Sequence, residues 1–140
     1  MGYLDFIAIY IINKCNENNW RITALKLQKL LYFVQKEAML VFHRKIFYED
    51  VIACGWGPYI PVINQKYLRY GNAHIPPIYN IDYYINGDVK KIIDKIVIKY
   101  GMMSNEELLK IIWNEEPWQE VIENDISEQE APKIIFEDFI

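Results

Sequence analysis

The side chains best suited to catalysis or metal binding are few: His43, His74, Cys15 and Cys54, with carboxylates crowded toward the C-terminus. The two histidines stand 31 positions apart. Neither has a Cys, a second His or a paired acid at metal-ligand spacing, so both read as exposed turn residues and no metal site is expected. Cys15 lies on a helix pattern and Cys54 in an apolar run beside Gly55, the surroundings of buried, reduced thiols. Gly55-Trp56-Gly57-Pro58 has the glycines of a phosphate loop, but the Lys-Ser/Thr ending is missing and Pro58 removes an amide donor that such a cradle needs. No cofactor is therefore expected, no catalytic residue is assigned, and the chain is expected not to be an enzyme.

Charge gives a second line of argument. Lys26, Lys29 and Lys36 share one sector of a helix pattern. Such a sector either meets phosphates or is a solvated outer face, and the solvated reading is preferred because no helix-turn-helix, zinc finger or aromatic RNA motif accompanies it. The net charge of −4 conceals an asymmetry: residues 1 to 103 carry 13 basic and 8 acidic side chains, residues 104 to 140 carry 2 and 11. An acidic pole of this kind repels nucleic acid and attracts a basic partner, although a merely solvated face has the same composition.

The elements that must position these residues are mostly helices. Apolar side chains at Leu4, Ile7, Ala8, Ile11 and Cys15 predict a buried helix over 4–16. Thr23 supplies an N-cap oxygen and Ile22 a staple to Leu27, so a second, central helix is expected from Ala24 to about Phe42. Ile46 to Tyr48 and Val51 to Cys54 read as extended segments, Gly57-Pro58 as a turn, and Pro61 to Tyr70 as a helix stopped by Gly71. Pro76 and Pro77 make 72–86 an irregular arm with exposed aromatics. Asp88 opens a helix with Val89, Ile92, Ile93, Ile96, Val97 and Tyr100 on one face, and Ser104 with Glu107 forms a capping box for another that ends before Pro117. A short last helix is placed after Ser127. The expected fold is mainly α (α+β): one helical domain over residues 1–140 with a small antiparallel β element. At 140 residues and with 52% apolar residues it should bury roughly two thirds of its unfolded surface. No apolar run approaches the roughly 18 residues of a membrane span and no secretory leader is seen, so a cytoplasmic location is expected.

Several of these segments, taken in order, resemble one family. Ile22-Thr23-Ala24-Leu25-Lys26-Leu27-Gln28-Lys29-Leu30-Leu31-Tyr32-Phe33-Val34-Gln35 is similar to the hallmark of the antitoxin-like Panacea domain family, whose members include SocA-like antitoxins and phage-associated GepA-like proteins. Phe47, Glu49 and Val51-Ile52-Ala53, then Gly57-Pro58 with Ile60-Pro61-Val62, then Tyr70-Gly71, Tyr100-Gly101, Leu108 and Pro117-Trp118 continue the resemblance over nearly the whole chain. Two positions depart from it. Ile112 and Trp113 stand where the family often has Thr-His, so no role of that histidine is carried over, and Cys54 replaces an aromatic. The resemblance implies a protein that neutralises a toxin encoded nearby by direct contact, with a protease-adaptor role linked to SocA-like members and with no cofactor. Candidate partner-binding residues are Gln28, Tyr32, Trp56, Gly57, Pro58, Tyr59 and Trp118. Gln28 and Tyr32, four apart on one helix face, are expected first to hold the Gly57-Pro58 turn by hydrogen bonds. The alternatives are a nucleic-acid-binding regulator acting through the Lys26, Lys29 and Lys36 face, and a phage or prophage protein that blocks a host factor.

Overall fold

A computed structural model describes residues 1–123 and 134–136. It is mainly helical with a small sheet, in the order α1 (Tyr3–Glu17), α2 (Ala24–Phe42), β1 (Val51–Cys54), β2 (Gly57–Tyr59), α3 (Pro61–Lys66), α4 (Gly87–Tyr100), α5 (Asn105–Trp113), α6 (Glu116–Glu123) and β3 (Ile134–Ile135). The short helix expected after Ser127 lies outside the described residues.

Helix α2 is the axis around which the rest is arranged. Its Thr23 Oγ1 accepts the Lys26 N–H at 3.2 Å, and its last turn closes on His43, whose N–H donates to the Met39 carbonyl from a left-handed conformation. The helix packs against α1, α3, α4, α5 and β2, which leaves it little solvent-facing surface. Leu27, Leu30, Leu31 and Val34 are fully buried, and Phe33 stacks on Tyr100 of α4 with ring centroids 4.0 Å apart. All six apolar residues read on one face of α4 are buried. The Ser104–Glu107 capping box forms as the residue types demand, each side chain bonding the other's backbone N–H at 3.1 Å.

The sheet has the order β2-β1-β3, all antiparallel, with Ile52 opposite Tyr59 and Cys54 opposite Gly57 in the hairpin and Val51 opposite Ile135 on the other edge. Ile46 to Tyr48 do not join it, and the turn expected at Gly57-Pro58 lies at Gly55-Trp56 instead, because Gly57 and Pro58 pair with Cys54 and Ala53 as the start of β2. The Gln35 side chain, buried on α2, takes the Ile46 N–H at 2.9 Å and donates to the Phe47 carbonyl at 2.8 Å. Those backbone groups are satisfied by a helix side chain instead of by a neighbouring strand.

Three other expectations need correction. Helix α3 stops at Lys66, and Leu68–Tyr70 tighten into a 3-10 turn before Gly71. Pro117, read as lying beyond the last helix turn, instead sits in the first turn of α6, where its missing N–H costs nothing. His74 is not a free turn residue: its Nδ1 accepts the Ile22 N–H at 3.0 Å and its Nε2 lies 2.8 Å from Asn16 Oδ1. With Asn13 bonding both the N–H and the carbonyl of Ile78, it pins the irregular arm 72–86 onto α1. His43 is exposed, as expected, and Tyr79 and Tyr84 of the arm are exposed as well. Among the described residues no helix is long and apolar enough to cross a membrane.

Candidate functional site

The hallmark segment on α2 points its polar side chains inward. Gln28 is fully buried: its Oε1 accepts the Ile60 N–H at 2.8 Å, and its Nε2 donates to the Ala24 carbonyl at 3.0 Å and to Asn64 Oδ1 at 3.2 Å. Gln28 and Gln35 lie two turns apart, so one face of α2 stitches both flanks of the β hairpin to the core. Tyr32 is equally buried but serves another element. Its hydroxyl donates to Glu115 Oε1 at 2.9 Å, Glu115 also pairs with Lys36 Nζ at 2.9 Å, and the ring stacks on Phe136. Burial and the nearby Glu115 carboxylate push the phenol's pKa up, so it stays a donor. The expected joint hold of Gln28 and Tyr32 on Gly57-Pro58 is thus replaced by two separate anchors, Gln28 on the residue after the hairpin and Tyr32 on the turn between α5 and α6. Gln28→Leu should cost about 2 to 3 kcal/mol by leaving the buried Ile60 N–H without an acceptor, a loss that chemical denaturation would measure.

The lysine sector is corrected outright. Lys26 and Lys29 are buried and Lys36 is paired with Glu115, because α2 is encircled where a solvated face was expected. Lys26 Nζ donates to the Arg21 and Gly101 carbonyls. Lys29 Nζ has no hydrogen-bond partner among the described residues, and burial, opposed by Glu106, lowers its pKa to about 8. Its chain runs under the hairpin: a Cβ at Gly57 would lie 3.1 Å from Lys29 Cε and 3.1 Å from Leu109 Cδ1. With φ at 117°, that position requires glycine on both conformational and steric grounds.

Above this packed base the hairpin tip is open. Trp56 is 52% exposed and meets Tyr59 edge-on at 6.3 Å, whereas Gly57 and Pro58 are buried and Tyr59 is half-buried. Trp118, paired with Trp56 as a binding candidate, is only 6% exposed and belongs to the core cluster. Of the seven candidates, therefore, Trp56 and Tyr59 reach the surface at the hairpin, and the others position it or build the interior. Trp113 on α5, 41% exposed, was singled out in the sequence only as a departure from the family pattern. Its signal was an unpaired large aromatic on a polar helix face.

Cavities among the described residues lie elsewhere. One of about 710 Å³ lies between the starts of α2 and α5, lined by Trp20, Arg21, Lys26, Met102, Asn105 and others. A second, of about 450 Å³, lies beside Phe47 and Tyr48, and a third, of about 350 Å³, beside Trp20 and His74. No group of three or more His, Cys, Asp or Glu able to hold a metal ion occurs among the described residues.

A family model described as antitoxin SocA-like, Panacea domain, matches residues 27–119. The chain belongs to this family. The Panacea match begins inside α2 at the hallmark Leu27-Gln28-Lys29-Leu30-Leu31-Tyr32 and runs through the hairpin, the arm, α4 and α5 into α6. It thus includes Gln28, Gln35 and Tyr32 together with every backbone segment they anchor between Ile46 and Glu115. No curated protein and no solved structure matches the chain.

Proposed function

We propose that this Panacea domain acts by binding, not by catalysis, and that it neutralises a toxin encoded nearby through direct complex formation in the cytoplasm. The observation that carries the reading is the antitoxin-like family match over residues 27–119. The geometry supports it at one point: the hallmark residues are spent on holding a β hairpin rigidly, and the hairpin's tip exposes an indole. Large aromatics on a preorganised turn lose little conformational entropy on binding and are enriched at binding hot spots.

Co-expression tests this. Each gene flanking the chain's own is induced in a host cell alone and then together with this chain, and growth is followed. Arrest by one neighbour and rescue by the chain, with the two proteins co-purifying at a fixed ratio, is the expected result. Growth unaffected by either neighbour, or rescue without a complex, would overturn the reading and leave a domain that blocks a different partner.

A further inference from the structure

We infer that the hairpin tip and the outer side of α5 form one docking surface for a basic protein partner, with Trp56 and Trp113 as apolar anchors and glutamates of α5 and α6 as a charged rim. The inference rests on the binding role proposed above and specifies the face and the chemistry of what it takes.

Contiguity comes first. Gly57 lies against Leu109, so the hairpin sits directly on α5, and Trp56 is the residue immediately before it. Trp113 follows Leu109 by four positions and therefore occupies the same side of the helix, one turn further on. Leu109 and Tyr59 are both half-buried, and Tyr59 meets Trp56 edge-on at 6.3 Å. The surface is also preorganised. The hairpin is fixed from below by Gln28 on Ile60 and by Lys29 against Gly57, and α5 is fixed at its start by the Ser104–Glu107 box and at its end by the Gln119 amide on the Trp113 carbonyl.

Charge decides the occupant. From Ser104 to Glu123 the chain carries six glutamates and a single lysine, Lys110. Glu115 is taken by Lys36 and Tyr32, and Glu107 by the capping box. Glu106, Glu116 and Glu120 are exposed and make no ion pair among the described residues. An acidic partner would meet like charge around the indoles, whereas a surface of Lys and Arg surrounding an apolar socket complements both features. Ile98 lies beside Lys95 and Lys99, and Leu40 and Val41 stand near Arg44 and Lys45, so these exposed apolar residues lack this combination.

The probe is a displayed library of random peptides, panned against the intact chain and then against Trp56→Ala, Trp113→Ala and the double variant Glu116→Lys/Glu120→Lys. Enriched peptides are expected to combine Lys or Arg with bulky apolar residues, to bind each tryptophan variant about tenfold more weakly, and to lose most affinity to the charge-reversed variant. Binding should also weaken several-fold as salt rises from about 50 to about 300 mM. All four substituted positions are exposed, and matching circular dichroism and melting temperatures confirm that the variants are folded. Enrichment of acidic peptides, binding unchanged in all variants, or no enrichment would overturn the inference. Rescue in the co-expression assay without peptide binding at this face would remove the surface and keep the antitoxin reading; peptide binding here without rescue would do the reverse.

Discussion

Lys29→Met is expected to raise the unfolding free energy by about 3 kcal/mol at pH 7, read from urea denaturation. The wild-type ammonium is fully buried with no acceptor among the described residues, and its pKa falls from 10.5 to about 8. That depression measures how much the folded state disfavours the charge, at about 1.4 kcal/mol per pKa unit. Methionine keeps the length of the stem beneath Gly57 and removes the charge, the kind of exchange that stabilises when a buried ion is poorly compensated. The sign of the pH dependence follows. The folded pKa lies below the unfolded one, so the unfolded chain holds more protons between about 8 and 10.5, and stability rises with pH through that window. Lys26, also lowered by burial, acts in the same direction. Cys15 opposes both: burial raises its thiol from 9.0 to about 11, so the folded state retains the proton longer and stability declines above about pH 9. The clean interval is therefore pH 8 to 9, where the wild type should gain stability and the variant should gain much less. A variant less stable than wild type at pH 7 would mean that the ammonium finds an acceptor, with Glu106 as the nearest source of opposing charge.

The same lysine shows what the residues alone did and did not reveal. Helix α2 runs from Ala24 to Phe42 as read, because its start is signalled by a local device, the Thr23 cap, and its interior has no Gly, Pro or Asx to interrupt it. The α4 face and the α5 capping box were legible for the same reason: each signal lies within a few residues of what it determines. Helical periodicity, however, reports only which residues share a side. It does not report how many sides are covered. Lys26 and Lys29 line up as a basic sector on paper, yet the packing of α1, α3, α4, α5 and β2 around α2 leaves that sector inside. Long-range polar contacts were hidden likewise. His74 on Ile22, Gln35 on Ile46 and Tyr32 on Glu115 join residues far apart in the chain, and no local pattern pairs them.

The binding candidates divide along this line. Trp56 stands beside glycine and proline, a local cue for exposure that holds, although the turn is formed by Gly55-Trp56 and not by Gly57-Pro58 as read. Trp118 was marked only by adjacency to Pro117, a cue that fits a loop outside the fold and the first turn of a helix against it equally well.

Trp118→Ala should accordingly act on the fold, lowering stability by about 3 to 5 kcal/mol, while Trp56→Ala should change it by less than about 0.5 kcal/mol. The contrast follows from exposure, 6% against 52%. Trp118 joins the core cluster from the first turn, Glu116-Pro117-Trp118, of a helix of only eight residues, so removing the indole takes away a large share of the apolar contact that holds α6 to the core. The damage should also spread. Helix α6 contacts β3, which pairs with β1, and Glu115 just before α6 accepts from Tyr32 and Lys36, so a loosened α6 disturbs both an edge of the sheet and the polar anchor on α2. Paired measurements of denaturation midpoint and partner affinity separate the two tryptophans. At a temperature where Trp118→Ala is still folded, its affinity should fall only as far as the loosened α6 displaces Glu116 and Glu120, and Trp56→Ala should lose affinity at unchanged stability. A Trp118→Ala protein that melts like wild type but fails to bind would place that indole at the interface and require α6 to swing outward on binding.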